Sequence, residues 1–126
     1  MRLLLLAAAG GALGAGARHL VNVSMLAVFG PGFPWATFTV NIVGSLLMGV
    51  VVEALIPFGG ASAVAWRTFL ATGILGGFTT FSAFSLDVWV LHERGEHTAL
   101  ALYVALSIIL SVAALVLGMA LVRGLR

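Results

Sequence analysis

The sequence predicts an all-α membrane protein with four transmembrane helices, and three observations carry that prediction. Of 126 residues, 62% are apolar and only 8% charged. A water-soluble domain keeps apolar residues near half and charged residues near a quarter of its composition, and so short a chain has too much surface to leave without polar cover. The solvent is therefore lipid. Four nearly uncharged stretches, about 3–28, 36–56, 65–91 and 98–122, each reach the ~20 residues needed to cross a ~30 Å hydrocarbon layer. The intervening segments Gly30-Pro31-Gly32-Phe33-Pro34, Pro57-Phe58-Gly59-Gly60 and His92-Glu93-Arg94-Gly95-Glu96-His97 cannot continue a helix or are polar. Residues 1–126 thus read as a single transmembrane domain with only ends and short loops outside the bilayer.

The first span opens with Arg2, Leu3 to Ala9 and Ala15-Gly16-Ala17, which imitates a secretory signal and its cleavage site. Its apolar run continues to Phe29, and three further spans need insertion regardless, so it is read as a span. A ridge of small residues from Gly10 to Ala17 precedes Arg18, a cation that cannot face lipid at mid-membrane. Two uses stay open for Arg18: reaching an interface, or placing positive potential at the mouth of an anion path.

In the second span Thr37, Asn41 and Ser45 recur at four-residue intervals and share a helical face. In the fourth, Tyr103, Ser107 and Ser111 do the same. An isolated membrane Ser or Thr usually bonds its own backbone, but two parallel stripes could wall a polar track whose hydroxyls donate to a dehydrated ion. Asn41 is the hardest to satisfy locally, because its amide carries two donor hydrogens.

The third span holds Gly73, Gly76 and Gly77, then Thr79, Thr80, Ser82 and Ser85. Such a stretch predicts a broken helix at mid-membrane. Irregular backbone survives there only where protein buries it or a wet cavity solvates it, and freed carbonyls at such breaks hold cations. Close packing of small residues is the alternative. Phe81 and Phe84, flanked by Ser82 and Ser85, share a face if the helix resumes. Ring edges are electropositive, so they suit a small anion, while core packing or lipid contact is the plainer use. Trp35, Trp66 and Trp89 fall near span ends, where indole rings favour the interface.

Composition also excludes several classes. Six Arg and no Lys against four acidic residues give net +2, which is scarcity of charge and no basic footprint for nucleic acid. Without Cys, disulfides and thiolate chemistry are ruled out. His19, His92 and His97 have neither ligand nor triad spacing, so the chain reads as no enzyme. Glu53 and Asp87 lie near span ends and read as interfacial, with an Arg a potential partner for Asp87. Short loops place consecutive helices antiparallel and adjacent, with both termini on one side. Arg2, Arg67, Arg123 and Arg126 fall on that side and Arg94 on the other. The positive-inside rule would make that side cytoplasmic, but the bias is small enough to admit both orientations.

Three strings carry a resemblance over essentially the whole chain: Gly10-Gly11-x-x-Gly14-Ala15-x-x-Arg18-His19, Thr39-Val40-Asn41-x-x-Gly44-Ser45, and the specific one, Gly76-Gly77-Phe78-Thr79-Thr80-Phe81-Ser82-x-Phe84-Ser85. With them the sequence resembles the Fluc (CrcB) family of bacterial fluoride channels. The resemblance implies passive export of fluoride across the inner membrane, which lowers cytoplasmic fluoride and protects against its toxicity. It also implies an antiparallel, dual-topology homodimer enclosing two pores. A structural sodium ion, not transported, would sit on the backbone carbonyls of Gly76 and Thr79 at the dimer centre. The pore would be lined by Asn41, Phe81 and Phe84, with Tyr103, Ser107 and Ser111 as a polar track, Thr37 and Ser82 beside them, and Arg18 in the vestibule. His19 stands where Tyr is frequent in the family, and Asp87 where Glu is frequent. The residues alone leave two competitors, a small multidrug-type four-span transporter and an assembly subunit whose small residues merely pack. The former needs a proton-exchanging acid at mid-membrane, and the first span has none.

Overall fold

Proline and glycine divide the chain as their backbone chemistry requires. In the computed structural model, which describes Met1–Arg126, α1 (Arg2–Phe29) stops at Gly30, whose φ of 72° with ψ of −174° is a conformation that glycine adopts without a Cβ clash. Helix α2 (Trp35–Ala54) starts directly after Pro34. Helix α3 (Gly60–Arg67) is followed without interruption by a π-helical segment, Thr68–Leu75, and a single turn, α4 (Gly76–Phe78). Two extended residues follow, Thr79 (φ −81°, ψ 158°) and Thr80 (φ −155°, ψ 120°), before α5 (Phe81–Glu93). Helix α6 (His97–Gly124) completes the chain.

Four stretches are long and apolar enough to cross a membrane: α1, α2, the composite Gly60–Glu93, and α6. The structure contains no strand. The fold is therefore all-helical with four candidate spans, as composition and punctuation predict. Only 13 of the 126 residues are buried, so most apolar side chains point outward. That inverts a soluble fold and suits a lipid solvent.

Lipid tails are as apolar as leucine, so helices in a bilayer associate by close backbone approach at small residues. Two such contacts organise the bundle. A Cβ at Gly49 would overlap the carbonyl of Leu115, and one at Gly118 the carbonyl of Leu46, so α2 and α6 interlock through reciprocal notches. Likewise a Cβ at Gly14 would overlap the carbonyl of Ile74, and one at Gly77 that of Gly11, which seats α1 on the first half of the third span. The most extensive packing is thus between α2 and α6 and between α1 and the π-helical segment. Consecutive spans touch less than short loops alone led us to expect, because facing glycines, not chain connectivity, decide where backbones meet.

Glu53, 3% exposed, is not an isolated interfacial acid. Its carboxylate lies 3.0 Å from Arg123 Nε, without the alignment of a hydrogen bond, and accepts one from Arg126 Nη1 at 3.3 Å. Arg126 Nη2 also donates to the Glu53 carbonyl. The ends of α2 and α6 are clasped by this pair of arginines.

Candidate functional site

The interruption at Thr79 and Thr80 redirects a set of backbone hydrogen bonds. In an unbroken α-helix the Thr80 N–H would donate to the Gly76 carbonyl and the Ala83 N–H to the Thr79 carbonyl. Here Thr80 N donates instead to Asn41 Oδ1 at 2.8 Å, and Ala83 N to Thr80 Oγ1 at 3.1 Å, the N-cap of α5. The Gly76 and Thr79 carbonyls consequently lack their helical donors. Their two neighbours are satisfied from other helices: Arg18 Nε donates to the Gly77 carbonyl at 3.1 Å and Asn41 Nδ2 to the Thr80 carbonyl at 3.0 Å. Asn41 thus pairs with Thr80 through both edges of its amide and keeps one Nδ2 hydrogen free.

Two cavities meet at this junction. A groove of about 470 Å³ is lined by Asn41, Ser45, Thr79, Thr80, Phe81, Phe84, Ser107 and Ser111, with Gly44, Met48, Ile108, Val112 and Leu115. The Phe81 and Phe84 rings stand 5.5 Å apart at 41°, and Phe81 is 79% exposed. Ser107 is buried, and its hydroxyl has no hydrogen-bond partner in the protein. On the other side of Thr80 a vestibule of about 400 Å³ is lined by Arg18, His19, Asn22, Thr37 and Asp87, with Ala15, Ala36, Val40, Thr80 and Ala83.

The structure therefore brings Asn41, Phe81, Phe84, Ser107 and Ser111 to one groove and Arg18 and Thr37 to the adjoining vestibule, with Thr80 lining both. Tyr103 lines neither. It is fully buried, its ring lies 5.2 Å from that of Phe84, and its hydroxyl donates to Asp87 Oδ2 at 2.9 Å. Ser82 is exposed and lies 3.2 Å from Thr80 Oγ1. Asp87, for which an Arg was the potential partner, forms no ion pair; it lines the vestibule and accepts from Tyr103. Its signal was spacing: Asp87 lies three residues beyond Phe84 and seven beyond Thr80, on one face of α5. Thr80, expected only as part of the helix break, lines both cavities.

No cluster of His, Asp or Glu side chains is arranged to hold a metal. What suits a cation is backbone: two uncharged carbonyl oxygens, Gly76 and Thr79, freed at a helix interruption.

Comparison with known proteins fits this geometry. The family CrcB-like protein, Camphor Resistance (CrcB), matches over residues 5–119. The chain belongs to the CrcB family. It is 57% identical over 121 residues to a protein of Cereibacter sphaeroides (strain ATCC 17029 / ATH 2.4.9) named fluoride-specific ion channel FluC, covering 96% of this chain and 94% of that one. A Sphingopyxis alaskensis protein of the same name is 53% identical over 116 residues, 92% of this chain and 91% of its own. The Nitrobacter hamburgensis fluoride-specific ion channel FluC 2 is 50% identical over 121 residues, 96% and 97% of the two chains. This CrcB-family chain is thus similar to these channels along nearly its full length.

Proposed function

We propose that the chain is a fluoride-specific ion channel of the bacterial inner membrane, a multi-pass protein and not an enzyme, that lets fluoride leave the cell down its gradient. The observation that carries this reading is a single groove lined by Asn41, Ser111, two phenyl rings and Ser107, whose buried hydroxyl has no partner in the protein. A buried donor without a partner is costly, and a transient small anion is the partner that would satisfy it.

Fluoride holds its water tightly, so a path must replace that water with donors at close range. The vestibule offers the Arg18 guanidinium, held to the Gly77 carbonyl by one nitrogen with its remaining donors free. Beyond Thr80, the spare Nδ2 hydrogen of Asn41, the Ser107 and Ser111 hydroxyls and the electropositive edges of Phe81 and Phe84 supply the rest. None of these groups in the groove is a fixed cation that would trap the ion, and conduction needs sites that bind weakly enough to release. Tyr103 and Asp87 belong to this reading as a hydrogen-bonded wall behind Phe84. Thr37 and Ser82 flank the path.

In the same reading the third span is broken at mid-membrane, and the active species is an antiparallel homodimer of chains inserted in opposite directions. Supporting it are the 79% exposed Phe81 ring and the unpartnered Gly76 and Thr79 carbonyls. One chain offers two such oxygens, too few for a sodium ion, and a two-fold partner would double them. Sodium would supply a positive charge near the anion path and a bond between subunits.

The test is fluoride-electrode efflux from vesicles holding purified protein, with chloride as comparator and no proton gradient. Fast fluoride release that Asn41→Asp abolishes is expected, because a carboxylate in the groove repels the anion. Drug-driven exchange without fluoride release would favour a multidrug-type transporter instead.

A further inference from the structure

A second arginine opens onto the same path. Arg94, at the C-terminal end of α5, donates from Nη1 to the carbonyls of Pro31 at 3.2 Å and Gly32 at 3.3 Å. It thereby ties the α1–α2 loop to the end of the third span. One nitrogen makes both bonds, so the hydrogens on Nε and Nη2 have no protein acceptor. The only ion pairs in the chain are those of Glu53 with Arg123 and Arg126. Glu93 and Glu96, its neighbours in sequence, leave the Arg94 charge uncompensated.

Arg94 lines an outer cavity of about 210 Å³ together with Asn22, Thr37 and Asp87. Asn22, Ala36, Thr37 and Asp87 also line the inner vestibule that Arg18 and Thr80 complete. The two cavities therefore adjoin across these shared residues, with Arg94 lining the outer one and Arg18 the inner. Asp87 lines both, and its carboxylate opposes an anion. A positive group in each is what keeps the pair attractive to one.

We infer that Arg94 is an anion-capture residue, the outer member of a two-arginine funnel that draws fluoride from bulk water towards Arg18. The inference rests on the channel reading and adds to it the residue that sets capture at low fluoride. A unit charge some 10 Å from an ion in watery surroundings changes its local concentration about two- to threefold. Screening distinguishes that effect from loop anchoring. The Debye length falls from about 30 Å at 0.01 M salt to about 3 Å at 1 M, whereas the geometry of two short hydrogen bonds to a loop does not change with salt.

The experiment measures fluoride efflux at low fluoride from vesicles carrying the full chain, Arg94→Gln or Arg94→Lys, in an impermeant salt at about 0.01 M and about 1 M. Glutamine keeps donors for the loop carbonyls without the charge, and lysine keeps the charge without the fork. At low salt Arg94→Gln should run about two- to threefold slower than the parent and Arg94→Lys near it. At high salt all three should converge. A Gln deficit that is equal in both salts, or shared by Lys, makes Arg94 a loop anchor and overturns the inference, as does a Gln variant equal to the parent at low salt. A parent chain that passes no fluoride in either salt overturns the channel reading itself, and this one with it.

Discussion

At the scale of single residues, the hydroxyl of Ser107 and the amide of Asn41 behave differently although both lie on polar stripes. Asn41 is tied through both edges of its amide to the Thr80 backbone, so it holds the helix interruption together as well as facing the groove. Ser107 bonds nothing. Removing a buried polar group that has no partner removes its desolvation cost. Ser107→Ala should therefore keep or raise the melting temperature of the detergent-solubilised protein while lowering fluoride efflux several-fold. An unchanged rate would remove the hydroxyl from the path. Phe81→Ile with Phe84→Ile removes the electropositive ring edges at similar apolar volume. Efflux should fall about tenfold or more with the fold retained, a barrier higher by about 1.4 kcal/mol or more, and circular dichroism beside the electrode assay separates the two. These residues were legible in the sequence because polar groups at helical spacing are conspicuous in an apolar chain. Which of them share a cavity was not, since Tyr103 has the same four-residue spacing as Ser107 and Ser111 yet turns to Asp87.

At the scale of elements, glycine placement decides the packing. Gly49 and Gly118 let α2 and α6 approach until each would strike a backbone carbonyl of the other if it carried a Cβ. Gly118→Val should push the helices apart and destabilise the fold by about 1–3 kcal/mol, the cost of overpacking, read as a lower thermal midpoint. Gly124→Val, at a position with nothing near it, is the control expected to stay near the parent. A drop of equal size for both would point to helix propensity and not to the notch. The four spans and their limiting prolines and glycines could be read from composition and punctuation. The π-helical run Thr68–Leu75 could not, because no residue pattern in TFLATGIL distinguishes an i→i+5 from an i→i+4 ladder; the run seats Gly73 against Gly10 of α1.

At the scale of the whole molecule, a chain with 13 of 126 residues buried has most of its surface left for lipid or another copy. If two copies associate as proposed, a sodium ion would tie that association to the Gly76 and Thr79 carbonyls. Replacing Na⁺ by Li⁺ or a large organic cation should weaken dimerisation, seen by size-exclusion chromatography with light scattering, and slow efflux in parallel. Full dimer stability and full activity after exhaustive sodium removal would contradict that assignment. A Thr79→Ser change should leave both near the parent, because the oxygen in question is backbone.

The amino-acid sequence alone determined the solvent, the number of spans and the stretch between Gly73 and Ser85 where the third would yield, since each follows from transfer energies and backbone chemistry acting within a few turns. Only the tertiary structure decided that Asn41 and Arg18 take up the carbonyls and N–H left at that interruption, that Glu53 and Asp87 turn inward to partners, and that the polar stripes divide between a groove and a vestibule. Those pairings join residues 16 to 73 positions apart. They depend on which faces the glycine contacts bring together, and no local pattern encodes that.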